Sequence, residues 1–534
     1  MKRSFILTAL FAMLLFGNEA PVRSAIPFTY ASQEAPQLNR VKEAFRDAAA
    51  RTAGIRSGQI FALPAKYNLI DNPRPHMAFC HVQGKIVKML GSSPGTSWGY
   101  DTHIPLIFWG PGFIRSGVQT ETAATLQDLV PTEARLMGAS LPEDAQGQVL
   151  AEALLPTNRH PKVILTVVFS QVGMDYLQAH PGLTPTIDRL MHDGTDFRNA
   201  KVSDLDAETT TGHLAIGTGA YPAQFGITSA MLWMPALGGL RYACHGERYH
   251  SPIFIESPTL ADVWLHQTHN KALVAGYGSR DRAVIGMIGH GSLYSGNKKP
   301  KAVFYDIHKG WLITNPDFYA LPAYLQGTSP ASYLSALTHG TGVWMGHAID
   351  AKNTVRATPA YATFDGDNVL QMIHLEPFGQ SGVTDLLDVS FVSTDAAGHA
   401  FGYESDEAGA VLHEEDRQLA RIVSTMAAKV GRENLVVILT ADNGSAPLPE
   451  LSGGIRLPEK QLVSDLNNMA GAPVFVRASA TQLYLDEAVR RRYHLSFQQL
   501  KQMVLDFRVD GKRFFADAIT REGALERAKK FMLP

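Results

Sequence analysis

The chain has 534 residues, 45% hydrophobic and 18% charged, with a formal net charge of −2. That profile describes a folded globular protein and excludes a disordered or collagen-like one. The near-neutral balance, in which no Lys/Arg run stands out, also excludes the electrostatic footprint of a nucleic-acid binder.

In chain order, Lys2 and Arg3 precede the apolar run FILTALFAMLLF over 5–16, and small or polar residues follow. A basic start with about a dozen apolar residues reads as a secretory signal and is short for a membrane span. Residues 1–25 are therefore expected to direct export, to a bacterial periplasm or outside the cell. Cleavage would fall near Ala20 or Ala25, and the remainder would not insert stably in a membrane. No cysteine closely follows the run, so a lipoprotein anchor is not expected. Cys80 and Cys244 are the only cysteines. Export permits them a disulfide, two buried thiols fit equally well, and a cysteine-based zinc site is excluded by number.

Apolar β-rich runs then alternate with helical patterns. Strands are expected at 59–65, 103–110, 163–169, 271–278, 386–393 and 435–442, several apolar throughout, as when both sheet faces are covered. Helices are expected at 184–194, 257–268 and 413–431; the first has a Thr cap, Pro185 in its first turn and Gly194 at its end. This alternation predicts a largely parallel α/β sandwich. Residues 230–380, rich in Gly, Tyr, Trp and Pro, read as an inserted cap, and 446–515 as a smaller insertion.

Ligands of α/β folds gather at the carboxyl ends of strands. Three runs end in polar residues there: VILTVVFSQ in Ser170 and Gln171, DVSFVSTDAAGH in Asp395 with His399 four residues on, and VVILTADNG in Asp442 and Asn443. An Asp and a His at that spacing can converge on one cation, and a carboxylate with an imidazole suits Zn²⁺; taken singly, an Asp at a strand end is as well explained as a helix cap. ETTTGHLAIGTGAYP (208–222) places Thr209–Thr211 before a small-residue helix, where free N–H groups favour an anion or merely receive a cap. GYGSRDRAVIG (276–286) sets Arg280 and Arg282 two apart, sharing a face in extended chain and suited to a tetrahedral oxyanion, or forming a solvated loop. GTSWG (95–99) fits G-x-S-x-G, but a loop precedes it and a strand follows, the wrong order for a serine hydrolase elbow.

Taken together, these segments resemble the alkaline phosphatase superfamily. VILTVVFSQVGMDYL, TPTIDRLMHDGTDFRNAKV and TTTGHLAIGTGAYPAQFGI resemble its opening, and FVSTDAAGHAFGYES, VVILTADNG and GTSWGYDTHIPLIFWGPG its later metal motifs. GYGSRDRAVIG resembles the Lys-x-Arg segment of the PafA-type phosphomonoesterase branch. The resemblance implies a three-layer α/β sandwich with a mostly parallel central sheet and an inserted cap. The motif order differs: the Y-D-T-H strand comes first here, and the chain ends with a segment that normally leads into RSGQIFALPAKYNLIDN (56–72). Circular permutation is therefore expected, with a new start around residues 30–55. Residues 26–155 would be equivalent to the family's C-terminal core, and 156–534 to the remainder.

Carried over residue by residue, the resemblance implies one zinc on Asp395, His399 and His103, with Thr209 as nucleophile and Arg280 and Arg282 on phosphate. At the second metal only Asp442 matches plainly. Asn443 stands where a histidine is usual, Ser170 where an aspartate is, and Ala230 where an asparagine contacts phosphate; zinc, calcium or magnesium are the candidates there. The implied function is an exported metal-dependent phosphoesterase, hydrolysing small phosphate monoesters through a phospho-threonine. The alternatives are a catalytically degenerate binding protein, or a one-zinc esterase acting on diesters or sulfate esters. A phosphoglycerate mutase relative is disfavoured by the signal.

Overall fold

A computed structural model describes residues 34–71, 79–88, 91–246 and 249–530. The expected signal segment and both cleavage positions lie outside the described residues. The chain divides into two compact units, residues 1–41 and 42–534. Helix α1 (Glu34–Thr52) begins in the first, and all that follows concerns the second.

The second unit is built on a nine-stranded sheet. Its strands, numbered with β1 (Ile60–Pro64) of a smaller sheet, are β2 (Leu106–Trp109), β3 (Val118–Thr125), β4 (Val163–Phe169), β5 (Thr195–Lys201), β6 (Val274–Gly278), β7 (Lys301–Asp306), β8 (Trp311–Ile313), β9 (Asp385–Phe391) and β10 (Leu435–Thr440). Their order is β8-β7-β6-β9-β4-β10-β2-β5-β3. β7, β6, β9, β4 and β10 run parallel, as do β5 and β3, while β2 is antiparallel to both its neighbours and β8 to β7.

Strand periodicity makes the layers. In β4, Val163, Leu165, Val167 and Phe169 enter one buried cluster, and Ile164 and Val168 the other. The first cluster takes residues of helices α2 (Pro185–Asp193), α5 (Pro359–Leu375) and α7 (Asp406–Val430); the second takes α3 (Thr209–Thr218) and α4 (Asp281–Ile288). Helices thus cover both faces, which is why the central strands read as unbroken apolar runs.

The interval 230–380 is not a cap as a whole. It supplies β6, β7 and β8 to the main sheet, because its Gly- and aromatic-rich stretches surround strands such as VAGYG that are themselves fully buried. The interval 446–515 contributes β11 (Phe475–Ala478) and β12 (Gln482–Leu485), which join β1 and β13 (Phe515–Thr520) in the order β11-β12-β1-β13 over a separate core. Strand β1 thus sits between strands from the far end of the chain, antiparallel to both. Arg527, in helix α8 (Arg521–Ala528), lies 2.6 Å from Asp47. Cys80 and Cys244 are both buried and not bonded to each other. No described helix is long and apolar enough to cross a membrane.

Candidate functional site

β6, β9, β4 and β10 are adjacent and parallel, so their carboxyl ends share one edge, with Gly278 opposite Ser390 and Thr440 opposite Val168. Just past that edge lie Arg280, Ser170, Asp442 and helix α6 (Ser393–Phe401), which carries Asp395 and His399. The amino end of α3 is pressed onto it. This contact needs Gly212, where a Cβ would lie 2.3 Å from the Asp442 carbonyl oxygen. Thr209 therefore opens α3 directly over the strand ends, preceded by Glu208 in extended backbone (φ −143°) whose side chain does not cap the helix.

A cavity of about 320 Å³ opens here, lined by Thr209, Glu208, Arg280, Arg282, Asp395 and His399. Its electrostatics are those of an anion site. The Nε atoms of Arg280 and Arg282 are buried without a hydrogen-bond partner. Burial, then the charges of Arg356 and Arg282, push Arg280 down to about 9. Arg356 was not anticipated: it is 6% exposed, tied to the Asn353 side-chain oxygen at 2.7 Å, and leaves Nη1 unpartnered. Its surroundings, Asn353–Pro359, carry only a helix-start signal. Burial raises the Asp395 carboxyl most, yet His399, Arg280 and Arg282 hold it far below the usual carboxylate range, with Arg280 Nη2 3.6 Å from Oδ2. Glu208, whose carboxylate accepts the Ala230 N–H, is pushed up to about 7 by burial and by Asp206. Ala230 lines the cavity without a polar side chain.

The expected zinc triad does not assemble. Asp395 Oδ1 and His399 Nε2 are 3.2 Å apart, but His103 Nε2 donates to the Arg198 carbonyl of β5 at 2.8 Å. His103 ends a short helical turn (Gly99–Thr102) and bridges to Lys201, which turns its ring toward the β5 backbone. Ser93, Pro94 and Gly95 instead line the cavity with Asp395 and His399, and they bring no imidazole. Among the described residues, no third carboxylate, imidazole or thiol stands within ligand distance of that pair. The pair still has a cation's geometry. His399 Nδ1 donates to the Ser92 carbonyl at 2.9 Å, which turns Nε2 toward the Asp395 carboxylate.

At the expected second metal position Asp442 is satisfied by its protein neighbours. Ser170 Oγ donates to Asp442 Oδ2 at 2.7 Å, and the Gln171 N–H to Oδ1 at 2.9 Å. His213 Nδ1 lies 3.3 Å from Oδ2 and donates to the Thr209 carbonyl at 2.8 Å. Burial holds His213 below its ordinary pKa and so neutral. Asn443 is buried with neither side-chain atom partnered. Gln171, which the sequence places at the end of the β4 run without a role, adopts φ +70° with an unpartnered buried amide; strained backbone of this kind gathers at functional sites. These residues do not fit a two-cation centre.

The comparisons agree with this architecture. Alkaline phosphatase PafA of Elizabethkingia meningoseptica is 25% identical over 408 residues, spanning 65% of this chain and 72% of the relative. Alkaline phosphatase PhoV of Synechococcus elongatus is 24% identical over 421 residues, spanning 68% and 75%. The crystal structure of wild-type PafA superposes with a TM-score of 0.55 at 22% identity, covering 66% of this chain and 77% of that one, and so shares the fold. The family model described as type I phosphodiesterase / nucleotide pyrophosphatase matches residues 164–531. The chain is homologous to these alkaline phosphatases and belongs to the type I phosphodiesterase / nucleotide pyrophosphatase family.

Proposed function

We propose that this chain is an exported phosphoester hydrolase acting on small phosphate monoesters, served by at most one cation. The carrying observation is that two guanidiniums with unpartnered buried Nε atoms line one cavity with a threonine that opens a buried helix. The free N–H groups and dipole at the start of α3 favour both a bound phosphate and an alkoxide on Thr209. Arg280 and Arg282 would hold non-bridging oxygens, and two guanidiniums match the unesterified oxygens of a monoester better than those of a diester. Asp395 and His399 would hold a cation, zinc by the chemistry of the donors, which supplies positive charge at the leaving oxygen when bound. Export rests on the basic, apolar start of the chain.

A second reading, phosphoester binding without turnover, is favoured by the missing third ligand beside Asp395 and His399. A chromogenic phosphomonoester assayed with divalent metals, beside phosphate binding by calorimetry, separates the two. Thr209→Ala is expected to cut turnover by about a thousandfold or more while phosphate still binds. Unchanged turnover in that variant would remove Thr209 from its role. Phosphate binding with no turnover by the native chain would establish the second reading.

We also read the topology as a circular permutation, supported by β1 lying between β12 and β13 and by the Arg527–Asp47 contact. A gene running from 156 to 530 and then from 42 to 155 is expected to give a soluble protein that melts within a few degrees of the native chain. Aggregated product from that gene would count against the reading.

A further inference from the structure

Away from the cavity, three ligand-type side chains from distant segments converge. His81 lies on the strand Phe79–Val82, His347 on the strand His347–Ala348, and Glu407 in the first turn of α7. Their ligand atoms all lie within 4.8 Å of one another, the one such group among the described residues. Glu407 Oε1 is 2.6 Å from His81 Nδ1 and 2.9 Å from His347 Nε2. Glu407 is fully buried and His347 nearly so, while the His81 side chain keeps 22% exposure. The His347 ring is held from outside: Phe79 stacks on it with centroids 4.3 Å apart, and Phe401 lies tilted against it at 4.7 Å.

We propose that His81, His347 and Glu407 form a divalent transition-metal site, separate from the phosphoester cavity, with Zn²⁺ as its ion. Two imidazoles and a carboxylate are a zinc donor set, and three protein ligands leave a fourth position for water. The partly exposed edge at His81 supplies that position and a route in. Apolar rings around the ligands hold them in one orientation, as the shell of a metal site does. The hydrogen-bonding distances describe the metal-free arrangement. On binding, His81 coordinates through Nδ1 and His347 through Nε2, each ring keeping its proton on the opposite nitrogen. The donor atoms then spread to the roughly 3.3 Å that Zn–N distances near 2.0–2.1 Å require. A loaded site ties two short hairpins to the start of α7. Through Phe401 it also bears on α6, the helix that carries Asp395 and His399.

Equilibrium dialysis of the full chain against Zn²⁺ tests this, run on the native protein and on His399→Ala, His347→Gln and Glu407→Gln. The native protein and His399→Ala are both expected to retain a zinc ion that His347→Gln and Glu407→Gln bind about a hundredfold more weakly or worse. Should His347→Gln fail to fold by circular dichroism, His81→Gln, at the exposed edge, makes the same test. A plain hydrogen-bond cluster predicts the opposite: no zinc held by His399→Ala, or equal zinc held by His81→Gln. Either result overturns the site.

Discussion

Replacing Arg282 with alanine is expected to weaken inorganic phosphate binding by roughly thirty- to several-hundred-fold, the equivalent of about 2–4 kcal/mol. Arg282 lines the cavity beside Thr209, and its Nε is buried without a partner, so part of its hydrogen-bonding capacity is unused in the free protein. Although burial disfavours its charge, Tyr242, Asp395 and Glu208 keep the guanidinium protonated far above any working pH. Removing it deletes a charge-assisted donor and leaves Asp395 and Glu208 facing the anion with less compensation. Arg282→Lys is expected to recover only part of the loss, because an ammonium cannot present two parallel donors. Calorimetric titration with phosphate, beside a melting curve to confirm folding, measures both. An affinity unchanged in Arg282→Ala would mean that phosphate does not bind in this cavity.

How much of this was legible in the sequence follows from the range of the forces involved. Strands β4 and β10 were readable almost to the residue, since continuous burial writes itself into continuous apolarity. Candidates placed by motif were readable too: Thr209 at the start of α3, Arg280 and Arg282 just past β6, and Asp395 and His399 just past β9 all line the cavity. His103 was not, because its fate depends on where a carbonyl of β5 lies, ninety-five residues away in sequence. A motif gives the identity of a side chain, whereas its direction is set by the turn before it and the strand beside it. Arg356 was missed for a related reason: a lone arginine before a helix is ordinary until the fold buries it against Arg280. The interval 230–380 misled by composition, its glycines and aromatics outweighing the short strands among them.

The second large effect is expected at Gly212, where alanine should destabilise the protein by about 3 kcal/mol or more, in the range of severe overpacking. An added Cβ would stand 2.3 Å from the Asp442 carbonyl oxygen and 2.9 Å from the Asp442 Cβ, and backbone cannot swing aside as a side-chain end can. Either α3 lifts from the end of β10 or β10 bends, and both carry Thr209 away from Arg280 and Arg282. Gly212→Ala should therefore lose phosphate affinity together with stability, although residue 212 does not line the cavity. Gly99→Ala is the matched control: its Cβ would meet nothing within 4 Å, and its stability should stay within about 0.5 kcal/mol of the native protein. Denaturant midpoints for the two variants decide the matter. If they prove equal, the close seating of α3 on the sheet edge is not what positions the threonine.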